Sequence, residues 1–224
     1  MFYMRKNLVF FLVIIPLYSF SQNPYYQKSY SENSKNASAV CGEIANDYTP
    51  AAKASVELIL KEVDIRPNFI LRACSETDNA FAATRENQRF IMYNIEFMSK
   101  IYNNSDAWGY IFVLAHEIGH HLKNHTVDPV LEDFGVGCQK CEFARNLELE
   151  ADEFAGFVLA KLGATLEQAQ EGIYVLHKTY LPGTDLNYDD SKDSHPNTLR
   201  RLNAVKIGYL KGEEERNKNL ILDF

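Results

Sequence analysis

The segment His116-Glu117-Ile118-Gly119-His120, entered from the apolar run Ile111-Phe112-Val113-Leu114-Ala115, constrains this chain more than any other stretch. The apolar run calls for a helix that enters a core. On such a helix the two histidines lie about 40° apart around the axis and one turn along, so both imidazoles reach a single ion from one face. Gly119 between them leaves room beside that ion, and Glu117 adjoins the first histidine. A carboxylate there can take a proton from water and pass it to a leaving amine, as in zinc peptidases that share this spacing.

A hydrolytic zinc ion takes three protein donors and keeps one position open. A third histidine six residues beyond His120 is ruled out, because that position is Thr126, and Lys123 stands where the accompanying glycine would be. The segment Asn146-Leu147-Glu148-Leu149-Glu150-Ala151-Asp152 supplies carboxylates instead. At 100° per residue Glu148 and Asp152 share a helix face, with Glu150 turned roughly 160° from Asp152. Glu148 is the economical third donor, leaving Asp152 to accept the outer ring hydrogen of a liganding histidine. Glu150 remains the alternative.

Two ends of the chain bear on where it works. Residues 1–21 read as an export signal: basic Arg5 and Lys6, an apolar stretch from Leu8 to Phe20 containing Pro16, then Ser21. That stretch is short of the roughly 20 apolar residues of a membrane span. An exported chain, periplasmic or extracellular, is expected to oxidise its cysteines, of which there are four. The favoured pairing is Cys41 with Cys74 and Cys138 with Cys141. A formal charge of −7 with scattered Lys and Arg excludes nucleic acid as a partner.

Residues 22–46, rich in Ser, Asn, Tyr and Gln, read as a flexible lead-in to one domain over 47–224. Asp47 or Thr49 caps a helix with Pro50 in its first turn, stopped by Pro67. Strand-like runs at 68–73 and 88–93 imply a small antiparallel sheet. Ser105 or Asp106 caps the histidine helix, from Ala107 to about His125, and a further helix spans 143–162, before Gly163. Thr165 and Gln168 form a capping box for a fourth helix ending at Pro182-Gly183, and a last helix runs from about 196 to 210. The fold class is α+β and mainly helical, a zincin-type domain with a small sheet beside the histidine helix.

His-Glu-x-x-His, then Glu148-Leu149-Glu150-Ala151-Asp152, then Ser194-His195-Pro196-Asn197-Thr198-Leu199-Arg200-Arg201-Leu202, resembles in order and kind the M48 zinc peptidases, gluzincins of the HtpX, Oma1 and CAAX-prenyl protease type. The resemblance spans roughly residues 47–210. It implies Zn2+ held by His116, His120 and Glu148, Glu117 as catalytic carboxylate, His195 brought towards the oxyanion, and Arg201 supporting it. Asn79-Ala80-Phe81-Ala82 is similar to the family motif near the substrate strand, which makes Asn79 and Ala80 substrate-binding candidates. The family's better-known members carry several membrane helices, so this chain is expected to be the catalytic core without membrane embedding. Its implied substrate is a peptide or unfolded protein. The Cys138–Cys141 insertion departs from the family pattern.

Other residues have plainer readings. His121 and His125 are expected to be structural or solvent-facing, and His177 a polar helix position. Asp185, Asn187, Asp189, Asp190 and Asp193 suggest a calcium loop, but Asp190 replaces the required glycine, so a solvated loop is expected. The rival to a zinc metalloendopeptidase is a catalytically silent zinc-binding surface protein of the same fold; retention of Glu117 weighs against it.

Overall fold

A computed structural model describes residues 48–126 and 139–222 together with Cys41. Residues 1–21, where an export signal is expected, most of the expected lead-in and Cys138 lie outside the described residues, as does the side chain of Cys141. Helix α1 (Pro50–Glu62) starts where Thr49 accepts from the Ala52 amide and Pro50 fills the first turn. It stops before Pro67, because Asp64 takes a left-handed conformation, φ 51°. Strands β1 (Phe69–Ala73), β2 (Ala80–Arg85) and β3 (Gln88–Tyr93) follow.

The sheet is mixed rather than antiparallel, in the order β1-β3-β2. Glu86 and Asn87, both with positive φ, make a two-residue turn that forces β2 antiparallel to β3, with Arg85 opposite Gln88 and Ala80 opposite Tyr93. Strand β1 then takes the other edge of β3, in parallel, with Phe69 opposite Arg89. Central β3 is buried on both faces. Ile91 and Tyr93 join the main core, whereas Phe90 and Met92 pack with Cys41 and Cys74. Those two cysteines form the expected disulfide, which covers the second face of the sheet.

Helix α2 (Ile95–Leu122) is two segments joined at Asp106, whose φ of 58° breaks the helix and whose carboxylate accepts from the Trp108 amide. Asp106 therefore caps the histidine segment as expected. The preceding segment, from Ile95, is an addition, capped by Asn94. Helix α3 (Gln139–Lys161) ends at Gly163, φ 93°, and α4 (Leu166–Tyr180) opens with the full Thr165–Gln168 capping box. Helix α5 (Thr198–Leu222) continues past Leu210 through a run of Glu, Arg and Lys that favours helix. Among the described residues no helix is long and apolar enough to cross a membrane.

Two close approaches set the helix layout around the cleft. A Cβ on Gly119 would meet the Ala151 backbone at 3.2 Å and Phe154 at 3.1 Å. The space at Gly119 is thus taken by α3, which brings Glu148 and Asp152 against the histidines. A Cβ on Gly208 would meet the Glu153 carbonyl at 1.8 Å, and one on Gly156 the Val205 carbonyl at 2.1 Å, so α3 and α5 touch backbone to backbone. Gly208→Ala is expected to force them apart and lower Tm by about 2–12 °C, measured by thermal unfolding, at an overpacking cost of roughly 1–3 kcal/mol.

Candidate metal centre

The second segment of α2 is buried on all sides from Gly109 to Gly119, because its apolar run lies under β3, α3 and α4. His116, Glu117 and His120 line a cleft of about 1200 Å³. There His116 Nε2 and His120 Nε2 face each other at 3.1 Å. Glu148 of α3 sits beside both, Oε2 at 3.3 Å from His116 Nε2 and Oε1 at 3.4 Å from His120 Nε2. The three donor atoms lie within 4.8 Å of one another. Glu150 is directed to His125 Nε2 instead, so Glu148 is the carboxylate that the fold brings to the two histidines.

A second layer fixes each ring. Asp152 is fully buried and its carboxylate only accepts, so His116 Nδ1 donates to it at 2.9 Å and Nε2 is left to face Glu148. Arg201 of α5 grips the same carboxylate with Nε and Nη2, both at 2.8 Å. The guanidinium therefore supports Asp152 rather than His195. His120 Nδ1 meets His125 Nδ1 at 3.1 Å, and His125 Nε2 meets Glu150 Oε2 at 3.3 Å. His125 is thus buried and structural. It reaches back because α2 ends at Leu122 and Asn124 turns the chain with φ 61°. Asn followed by His just past a helix end was a signal in the sequence for this return.

The cluster has the charge preference of a cation site. Burial works against a charged His116, but the Asp152 and Glu148 carboxylates outweigh it and hold its pKa up at about 10. Burial and the neighbouring His116 push His120 down to about 3. Two imidazoliums with facing nitrogens would repel, which opposes charging both rings at once. Burial acts to raise Glu148, yet His116, His120 and Arg201 keep it far below the usual carboxylate range. Two ring nitrogens, an ionised carboxylate and a demand for positive charge fit a divalent metal with an open position.

Glu117 lies in the cleft beside this cluster, nearly buried. Burial, and after it the charge of Glu148, raises its pKa to about 7, against the opposing effect of His116. The backbone of Ala82 in β2 acts against that rise. Among the described residues strand β2 pairs only with β3, and it lines the cleft with Asn79 and Ala80 at its start. The Asn79 carbonyl accepts from the Asn94 amide at 2.9 Å.

His195 stands on the opposite wall, 64% exposed, with Nε2 4.0 Å from Glu148 Oε2. His121 is fully buried, bonded to the Phe90 carbonyl and Thr126 and stacked on Phe69; burial lowers its pKa to about 4. His177 bonds Thr198 and the Thr184 carbonyl. Within the acidic loop, Asp190 is buried against Arg200 and Asn197 rather than solvated.

Residues 57–137 match the family model described as Peptidase family M48. The matched segment includes the histidine helix but stops before Glu148, so the third donor rests on the geometry alone. No curated protein and no solved structure matches the chain.

Proposed function

We propose that this chain, a member of peptidase family M48 by its residues 57–137, is a zinc-dependent metalloendopeptidase that cleaves exported or misfolded proteins. One observation carries the reading: the buried Glu117 carboxylate lines the same cleft as three converging metal donors and strand β2. A site that only stored metal would not require that carboxylate. Residues 1–21 serve as export signal, 22–46 as lead-in and 47–224 as the catalytic domain. The Cys41–Cys74 disulfide supports an oxidising compartment, periplasmic or extracellular.

His116, His120 and Glu148 would hold the ion. When bound there, zinc would supply a Lewis acid able to polarise a scissile carbonyl and acidify a water. An extended peptide adds to the free edge of β2 as a further strand, with Asn79 and Ala80 at one end of the pairing. Glu117 takes the proton of the attacking water and returns it to the leaving nitrogen. His195 donates to the carbonyl oxygen as it gains charge. Asp152, held by Arg201, keeps the His116 ring in register.

The test is digestion of unfolded casein by the purified protein, with and without a chelator and with zinc restored. Cleavage is expected to stop with the chelator and return with about one equivalent of zinc. Chelator-insensitive cleavage would overturn the proposal, and zinc binding without cleavage would point to a silent binding protein. The second layer predicts its own effect. His125→Ala should weaken zinc binding by about 10- to 100-fold in a chelator competition, because the outer nitrogen of His120 loses its partner.

A further inference from the structure

The loop from Asp185 to Asn197 carries His195 on the cleft wall, and its acidic composition alone would leave it solvated. It is instead wrapped around a buried cation. Arg145 of α3 points Nη1 at two backbone carbonyls of this loop, Asp190 at 2.6 Å and Asp193 at 2.7 Å. Its Nη2 and Nε donate to Glu142 at 2.6 and 3.1 Å. The Arg145 side chain is 6% exposed, so its bond to the Asp190 carbonyl forms away from bulk water, where a planar fork is worth most.

The loop is tied again on the far side of His195. The buried Asp190 carboxylate accepts from the Asn197 amide at 2.7 Å and from Arg200 at 3.1 Å. The Asn197 side chain donates to the Tyr188 carbonyl at 3.0 Å and accepts from the Arg200 amide at 3.0 Å, starting α5. Both flanks of His195 are therefore anchored: Asp193 to the helix that carries Glu148, and Asn197 to the helix that carries Arg201. The His195 ring has no comparable restraint of its own. Its hydrogen-bond partner is Ser194 Oγ at 3.2 Å, and it stands largely in solvent.

We infer that Arg145, with Asp190, is a positioning residue: it holds the backbone of the Asp185–Asn197 loop so that the exposed His195 ring faces the metal cluster. The catalytic consequence rests on the role proposed above for His195; the clamp itself does not. Arg145 is one helical turn before Glu148, so the same helix sets the third donor and the loop opposite it.

The experiment compares Arg145→Met and Asp190→Asn with the unaltered chain, each also in a His195→Ala background. It reads kcat, KM, zinc affinity and amide hydrogen exchange across residues 185–197. Asp190→Asn keeps an acceptor for the Asn197 amide, so it covers the case in which Arg145→Met does not fold. Expected for either variant is faster exchange in the loop and a kcat about 10- to 100-fold lower, with KM and zinc affinity within about twofold. No further loss of kcat is expected once His195 is absent. Equal losses with and without His195, or unchanged loop exchange, would overturn the inference. Should the unaltered chain cleave no peptide, the peptidase reading fails, and loop exchange alone still decides whether the clamp exists.

Discussion

Glu117→Gln is expected to lower kcat for peptide hydrolysis by about 1000-fold, within the 10²–10⁴ range that a positioned acid–base group supplies. The size follows from placement. The carboxylate is nearly buried in the cleft, and its pKa is raised to about 7 chiefly by burial. A group poised near neutrality both takes and returns a proton at little cost. Glutamine keeps the shape but cannot move the proton. His116, His120 and Glu148 are untouched, so bound zinc should stay at about one equivalent per chain, by atomic absorption. Activity above about a tenth of the original would remove Glu117 from the reaction. Loss of zinc alongside activity would make its role structural.

The parts of this molecule that were legible in the sequence are those set within one helix turn. The spacing of His116 and His120, the shared face of Glu148 and Asp152, the Asp106 cap and the Thr165–Gln168 box are all local consequences of helical geometry. The mainly helical α+β class follows from them, and the structure bears it out. Strand pairing was not legible, because it is decided between distant segments. The Ala-Phe-Ala-Ala stretch of β2 has weak strand character, yet its two-residue turn to β3 dictates the whole order of the sheet. Hidden for the same reason were the partners that long side chains choose. Arg201 spans to Asp152 on another helix, His125 folds back past a left-handed Asn124, and Arg145 reaches a loop some forty-five residues away in sequence. No periodicity announces such contacts.

The buried pair of Asp152 and Arg201 leads to the second large effect, which is on stability as well as on metal. Asp152→Ala removes the one carboxylate that accepts from His116 Nδ1 and from both ends of the Arg201 fork, and Asp152 is fully buried. It leaves a guanidinium whose side chain is only 15% exposed without the counter-charge that offsets its desolvation. Breaking such a pair from one side costs roughly 3–5 kcal/mol, a large share of the stability of an ordinary domain. Tm should fall by about 6–20 °C, and zinc affinity by about 10- to 100-fold because the His116 ring is no longer held. Removing both partners separates the two effects. In Asp152→Leu combined with Arg201→Leu no unpaired charge remains, so most of the lost Tm should return, while zinc affinity should stay low. A double variant no more stable than Asp152→Ala would mean that the pair matters for packing rather than charge. Zinc affinity unchanged in Asp152→Ala would mean that the His116 ring is oriented by the helix alone.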